Sequence, residues 1–292
     1  MRYYSKSYKT FQVFNYVFIA VLSLACILPL IHIMAVSLSS KDAATANIVN
    51  FMPVDFTLAA YKETLGNSNF LRALWLGVER TLLGTFISLA VTMMAAYSLS
   101  KENHRFKGRN VYSWFFIVIM LFNGGLIPTY LVVSNTGLID SVWALVIPTA
   151  VNVWNMILML NFFRNLPPEL EEAGLMDGAG HFRTLFSIYL PVSMPSVATI
   201  LLFTMVVHWN SWFDGMIYMT KIQDYPLASF LHTIVVKENF SEVGVDLAAL
   251  NQISNRTVKA SQIFIGALPI LLVYPFLQKY FVKGIVLGSV KG

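Results

Sequence analysis

The sequence contains little charge and almost no cysteine. Charged residues make up 12% of its 292 residues, hydrophobic residues make up 57%, and the mean hydropathy is +0.64. A soluble domain carries about 25% charged residues, so this composition excludes an ordinary soluble globular protein. We therefore predict an all-α integral membrane protein, with no soluble domain attached to it.

Residues that catalysis or metal binding would need are also scarce. The single cysteine, Cys26, excludes an intrachain disulfide, and we expect it to be a buried packing residue. The five histidines are scattered, so no metal cluster is predicted. The sequence has no Gly-x-x-x-x-Gly-Lys-Ser/Thr phosphate loop, and no Ser/His/Asp arrangement follows from its spacing. We predict no catalytic residue, no metal ligand and no cofactor bound by this chain, and therefore no enzyme.

Six apolar stretches that can cross a bilayer follow one another along the chain. They occupy residues 11–36, 71–100, 111–133, 141–163, 192–213 and 263–281. Basic residues flank them on one side of the membrane, at Arg2, Lys6, Lys9, Lys101, Arg105, Lys107, Arg109, Lys279, Lys283 and Lys291. By the positive-inside rule both termini are predicted in the cytoplasm. Residues 1–10 then form an N-terminal tail, residues 11–292 form one transmembrane domain, and the net charge of +5 reflects topology rather than nucleic-acid binding.

Two features interrupt the apolar pattern. Glu79 and Arg80 lie within the second stretch, and because a charge is costly at the bilayer centre we place both at its outer edge. Asn123-Gly124-Gly125 and Pro128 break the third stretch. This break is either a bend that borders a permeation path or a helix end near the outer surface, and the sequence leaves both interpretations open.

A polar segment, residues 165–191, separates the fourth and fifth stretches and is predicted to be cytoplasmic. Pro167 and Pro168 suit a helix start, and the acidic residues that follow suit its first turn. Gly178 and Gly180 can end this helix. A second short helix is predicted over 181–188, stopped by Leu190-Pro191.

The spacing within this segment resembles the signature cytoplasmic loop of ABC-importer permeases. The matching residues are Glu172-Ala173-Gly174, Gly178 and Ile188-Tyr189-Leu190-Pro191, with Gly174 where the family usually has alanine. That glycine is expected to weaken the helix by about 1 kcal/mol. The resemblance implies that the segment docks into a cleft on an ATPase subunit. The implied ATPase-coupling residues are Glu169, Glu171, Glu172, Ala173, Gly174, Asp177, Gly178, Ile188, Leu190 and Pro191.

The resemblance extends over nearly the whole chain. LFNGGLIPTYLVV, GLIDSVWALVIPTAVNVWNMIL, VVHWNSWFDGMIYM and the last residues, 288–292, are similar to carbohydrate-uptake permeases of the maltose type, most of all to their complex-polysaccharide branch. This implies the type I importer permease fold in a bacterial cell membrane. It also implies a heterodimer with a homologous second permease, two ATPase subunits that bind ATP and Mg²⁺, an extracytoplasmic solute-binding protein and an oligosaccharide substrate.

Aromatic and amide side chains are the candidates for the substrate path. A cluster after the fifth stretch combines aromatic faces with hydrogen-bonding groups, as sugar sites do, although an aromatic belt at the outer interface is an equal alternative. The long outer loop, residues 215–260, follows this cluster. Amides within a span usually bond neighbouring helices. The candidates are Asn123, Tyr130, Asn152, Asn155, Trp209, Asn210, Trp212 and Asp214.

Two other kinds of membrane protein were weighed against an importer subunit. An ion-coupled secondary transporter would carry ionisable residues in mid-span, and beyond Glu79 and Arg80 the sequence has none that we identify. A membrane-embedded enzyme would need convergent histidine or acidic residues at one depth. We therefore expect a permease subunit of an ATP-driven importer of polysaccharide-derived oligosaccharides that works by alternating access. A permease for another solute delivered by a binding protein is the alternative.

Overall fold

The computed structural model describes residues 6–241 and 256–289, with side chains except those of residues 6, 236–241, 277 and 280–289. These residues form helices and no strand. The α-helices are α1 Lys6–Ser37, α2 Lys41–Thr45, α3 Ala59–Gly66, α4 Ser68–Ser100, α5 Arg109–Leu121, α6 Leu126–Asn135, α7 Val142–Val146, α8 Val153–Arg164, α9 Pro168–Met176, α10 His181–Thr184, α11 Leu190–Val192, α12 Met194–Asn210, α13 Phe213–Tyr218, α14 Leu227–Ser241 and α15 Arg256–Ser289.

Parts of the sequence predictions lie outside the described residues. These parts are the tip of the N-terminal tail, the end of the C-terminal tail and residues 242–255 of the predicted outer loop. Much of the rest of that loop is helical, because α13 extends into it, α14 lies within it and α15 begins at Arg256, ahead of the predicted Ile263.

The apolar helices fall into two groups by shape. Three are long and apolar enough to cross a membrane unbroken, over Ser7–Ser37, Ser68–Ser100 and Arg256–Phe276. Three further candidates are bent pairs, Arg109–Leu121 with Leu126–Asn135, Val142–Thr149 with Val153–Arg164, and His181–Val192 with Met194–Asn210. The break predicted in the third stretch is confirmed, because α5 and α6 meet at 117°. Gly125, the N-cap residue directly before α6, has φ of 86°, a value that glycine adopts without steric cost.

One compact unit comprises residues 1–71 and 233–268. The C-terminal end of α1 packs there against α2 and the start of α15, around Ala35, Val36, Ala43, Ala44, Val49 and Ala260. Arg256 donates hydrogen bonds to the Ala44 carbonyl and to Asn47 Oδ1 at 3.2 and 2.8 Å. The apolar part of α1 has no buried residue, and Cys26 within it is exposed. The prediction of a buried Cys26 is therefore wrong, because no other part of the described chain covers this part of α1.

The second unit comprises residues 72–232 and 269–292 and contains the largest core. Side chains of α4, α8, α12 and the helical segment after α10 meet in this core: Met93, Ala96, Tyr97, Leu99, Val153, Met156, Met159, Leu160, Phe163, Leu185, Tyr189 and Ile200. Burial of this apolar surface holds the ends of three apolar helices together. The polar 165–191 segment is therefore anchored on the core rather than free in solution.

Candidate functional site

The first half of the 165–191 segment forms the predicted helix. Pro168 is the first residue of α9, and Glu169 and Glu171 lie in its first turn. The helix ends in a Schellman motif, in which Gly178 N–H donates to Leu175 O and Ala179 N–H donates to Gly174 O, each at 3.0 Å. Gly178 adopts φ of 74°, so the turn needs glycine. The predicted start and end of this helix are confirmed.

The second half is longer than predicted. Helical structure begins at His181, passes through one π-helical turn over Leu185–Tyr189 and continues to Val192. The prediction that Leu190-Pro191 ends it is wrong. Leu190 N–H donates to Leu185 O across the wide π turn, and this local widening accommodates a proline that could not join a regular α-helical ladder.

The two halves pack closely through Gly174. A Cβ atom at this position would lie 2.5 Å from Ile188 Cδ1 and 3.8 Å from Thr184 Oγ1. The bare backbone therefore lets α9 lie directly on the following helix. This contact gives Gly174 a packing role that its low helix propensity does not reveal.

An ion pair that the sequence does not reveal holds α9 to the end of α4. Glu171 is buried, and its Oε2 lies 2.9 Å from Lys101 Nζ. The Tyr189 hydroxyl donates to the same oxygen at 3.0 Å, and Arg105 NH1 lies 3.4 Å from Oε1. Glu171 thus pairs within the chain. From the sequence, Lys101 and Arg105 indicate only topology, and no local pattern connects them to Glu171.

The surroundings of this pair control its charge state. Lys101 Nζ lies 3.7 Å from the ring centroid of Tyr97 and 4.2 Å from that of Tyr189, so both rings contact the cation. Burial lowers the pKa of the Lys101 amine, and the Glu171 carboxylate offsets only part of that effect. Burial raises the pKa of the Glu171 carboxyl, but Lys101, Tyr189 and Arg105 outweigh it and leave this pKa below its usual range. The carboxylate is therefore ionised at neutral pH.

The outer face of α9 and the turn after it is apolar and acidic. Met176 and Phe182 are 88% and 71% exposed, and Leu175 beside them is 40% exposed. The remaining exposed coupling candidates include Glu169, Glu172, Ala173, Asp177, Gly178 and Pro191. A cavity of about 610 Å³ opens beside this face, lined by Lys101, Arg105 and Phe182 among others. Among the described residues, none covers this face.

Two substrate-path candidates make hydrogen bonds that stabilise the helices. The Asn152 side chain caps α8 by accepting from Asn155 N–H at 3.0 Å. Asn155 is buried and donates from Nδ2 to Thr204 Oγ1 at 3.3 Å, which joins α8 to α12. Asn155 therefore forms a hydrogen bond between two helices, as amides within a span usually do.

Asp214 is also engaged within the chain. It forms a short ion pair with Arg80, which is 1% exposed and also donates to Ser211 O at 2.8 Å. Ser211 Oγ and Gly215 N–H both donate to Asp214 Oδ1. The pair neutralises the buried arginine inside the protein, and the placement of Arg80 at the outer edge of the bilayer stays a prediction.

The other candidates keep exposed surface but do not form one group. Trp212 stacks on His232 with ring centroids 3.7 Å apart, and Tyr130 stacks on Tyr218 at 6.3 Å. Asn123 and Asn210 are exposed. Trp209 lines a small apolar cavity of about 120 Å³ beside α15. Four of the candidates are thus close to one another only because they follow one another in sequence at the end of α12: Trp209, Asn210, Trp212 and Asp214.

Comparison with known proteins places this architecture in one family. Residues 88–287 match the binding-protein-dependent transport system inner membrane component family. The chain belongs to this family. It is therefore an ABC transporter permease, a transport subunit rather than an enzyme, and the resemblance found in the sequence is confirmed.

Relatives of this family cover nearly the whole chain. The polygalacturonan/rhamnogalacturonan transport system permease YtcP of Bacillus subtilis is 37% identical, covering 97% of this chain and 99% of its own. Protein LplC of the same organism is 38% identical, covering 99% and 97%. A chain from the crystal structure of a bacterial ABC transporter that imports the acidic polysaccharide alginate is 31% identical, with a TM-score of 0.85 over 96% of this chain and 100% of that one. The fold is therefore that of the type I importer permeases, whose systems in general include a second permease, an ATPase and a binding protein.

Proposed function

We propose that this chain is a six-span permease subunit, with both termini cytoplasmic, in a bacterial importer of polysaccharide-derived oligosaccharides. The three unbroken helices and three bent pairs support six spans. The proposed partners are a homologous second permease, two ATPase subunits carrying ATP and Mg²⁺, and an extracytoplasmic solute-binding protein. The observation that carries the proposal is the exposed apolar and acidic face of α9, fixed on the core of a chain in this permease family.

The coupling segment is proposed to transmit force in two directions. The ATPase contacts Met176, Phe182 and Glu172 on its outer face. On its inner face, Glu171 connects α9 to the end of α4 through Lys101, and Tyr189 connects it to the helix leading into α12. Movement of α9 would therefore move two spans as rigid bodies, which is how a docked motor can switch a cavity between two openings.

Substitution of Met176 tests the docking step. In the intact complex reconstituted into proteoliposomes, Met176→Asp is expected to abolish ATP-driven uptake, because a charge would enter the apolar contact. Met176→Leu is the matched control and should transport normally. Unchanged uptake and an unchanged content of ATPase subunits in Met176→Asp would overturn the docking role.

Uptake assays test the substrate class. The relatives named for polygalacturonan, rhamnogalacturonan and alginate support oligosaccharides. Fragments of these polymers, maltodextrins and glycerol 3-phosphate should be offered with the cognate binding protein. Uptake of a polymer fragment with ATP inside the vesicles is the expected result. Uptake of glycerol 3-phosphate alone, or uptake driven by an ion gradient without ATP, would refute the proposal.

Topology can be tested independently. In a Cys26→Ser background, a cysteine at Asp177 should react with an impermeant thiol reagent only after the membrane is permeabilised. Reaction from outside intact cells would place the coupling segment on the wrong side of the membrane for any ATPase contact.

A further inference from the structure

A second concave site lies between α5 and α8, and it shares no lining residue with the cavity beside α9. It is a groove of about 310 Å³ with a basic end and an apolar end. Arg109 and Arg164 form the basic end together with polar Ser113 and Asn161, and Trp114 lies on the apolar side. Arg109 is the first residue of α5 and Arg164 is the last of α8, so both lie where helices leave the apolar layer.

The two arginines lack an acidic partner among the described residues. Arg164 NH2 donates to the Leu99 carbonyl at 3.2 Å, and the Nε of Arg109 is buried without a hydrogen-bond acceptor. Both arginines line the same groove. Two converging, uncompensated guanidinium groups favour an anion that offers several oxygens, and a phosphate matches their planar donor geometry.

The apolar end of the groove indicates what carries that phosphate. No residue of α5 is buried, and Trp114 is 67% exposed. A tryptophan one turn inside a basic helix end is typical of the interface between hydrocarbon and headgroups. A basic pocket between membrane helices on the cytoplasmic side is suited to an acidic headgroup, with the acyl chains along the apolar helix faces.

We propose that this groove binds the phosphate of an anionic phospholipid such as phosphatidylglycerol. Arg109 and Arg164 bind the headgroup, and Trp114 contacts the start of an acyl chain. The site uses the topology given under the proposed function, which places these helix ends at the cytoplasmic headgroup layer. It concerns neither the transported sugar nor the ATPase.

The test measures lipid retention rather than transport. The intact complex is purified from nanodiscs of phosphatidylglycerol and phosphatidylcholine in equal amounts, and bound lipid is counted by native mass spectrometry. Each arginine near a charged lipid surface changes binding about fivefold, so Arg109→Gln should lose selective phosphatidylglycerol by about that factor. Lys107→Gln is the matched control, because it removes an exposed charge from the same loop outside the groove, and should retain the lipid.

Three outcomes would overturn the proposal. Equal retention of phosphatidylglycerol in Arg109→Gln and the unsubstituted complex would remove the headgroup role. Displacement of the lipid by millimolar inorganic phosphate would identify a soluble anion instead. Cross-linking of a cysteine at Trp114 to the second permease, with no lipid bound, would identify a subunit contact. Arg164→Gln is less informative, because it also removes the hydrogen bond to Leu99. Loss of lipid retention with uptake intact would leave the proposed function standing.

Discussion

Glu171 and Lys101 form a buried ion pair that joins the coupling segment to the end of a membrane helix. The two side chains are each 8% exposed, and two tyrosine rings enclose the cation. Removing one member of a buried pair leaves an uncompensated charge, which costs about 3–5 kcal/mol. This pair therefore determines whether α9 stays in place.

Breaking this pair should destabilise the segment and uncouple transport. We expect Glu171→Gln to lower the free energy of unfolding by about 3 kcal/mol. This is the lower part of that range, because Arg105 on one side of the pair is 37% exposed to solvent. Thermal unfolding of the purified complex measures this. Glu172→Gln, an exposed neighbour, should stay within about 0.5 kcal/mol. If Lys101→Met and Glu171→Gln were additive in the double variant, the two side chains would not act as a pair.

The same carboxylate predicts an acid limit to stability. The folded pKa of Glu171 lies below its usual value of 4.5, so folding keeps the proton off. Its stabilising contribution is fully present above the unfolded pKa and is lost as pH falls through the folded pKa. The melting temperature of the complex should therefore fall more steeply below pH 4.5 than that of Glu171→Gln. Parallel curves for the two proteins would contradict this assignment.

Because Gly174 packs against Ile188, we expect the effect of Gly174→Ala on stability to have opposite signs in two backgrounds. In the natural background, Gly174→Ala adds a methyl group 2.5 Å from Ile188 Cδ1. Overpacking costs about 1–3 kcal/mol and outweighs the gain of about 1 kcal/mol in helix propensity. In an Ile188→Val background, which lacks Cδ1, the same substitution should stabilise the segment. Destabilisation of similar size in both backgrounds would show that the close contact is not the cause.

We expect substitution of Arg80 or Asp214 to cause a folding defect rather than a sugar-binding defect. Asp214→Asn leaves the buried Arg80 charge unpaired and should reduce the assembled complex, at a cost of about 3–5 kcal/mol. Arg80→Gln should cost less, because Asp214 is 16% exposed and still accepts hydrogen bonds from Ser211 and Gly215. The double variant should recover part of this loss, and Glu79→Gln is the control next in sequence. Normal assembly of Asp214→Asn with a raised KM for the oligosaccharide would instead make Asp214 a substrate contact.

Two substitutions of Gly178 can distinguish the effect of backbone strain from the effect of lost docking. Any side chain at φ of 74° is strained by about 1–2 kcal/mol, so Gly178→Ala and Gly178→Trp should destabilise the segment similarly. The indole should in addition block the ATPase surface and uncouple ATP hydrolysis from uptake, whereas the alanine variant should still transport. Normal transport by the tryptophan variant would exclude close approach of a partner at this turn.

Local signals predicted much of this structure. The helix start at Pro168 and its end at Gly178 depend on residues a few positions apart, so the sequence contains the whole signal. The break before α6 depends in the same way on adjacent glycines. The π-helical turn before Leu190 was missed, because proline usually ends a helix and the wider turn that tolerates it has no sequence pattern.

Contacts between distant residues could not be predicted. Lys101 and Glu171 belong to different helices, and a lysine in a basic loop is as well explained by topology. Arg80 likewise pairs with Asp214 only because α4 packs against the turn after α12. The exposure of Cys26 was missed because apolar composition cannot distinguish a helix packed on its own chain from one that faces outward.

That last feature has a physical consequence for α1. A helix of 32 residues is about 48 Å long, whereas the hydrocarbon layer is about 30 Å thick. The described residues do not cover its apolar stretch, so we expect lipid or another subunit to contact it. The inclination of α1 then depends on hydrophobic matching with its surroundings, and a thinner bilayer should tilt this helix further while the core around α4, α8 and α12 keeps its packing.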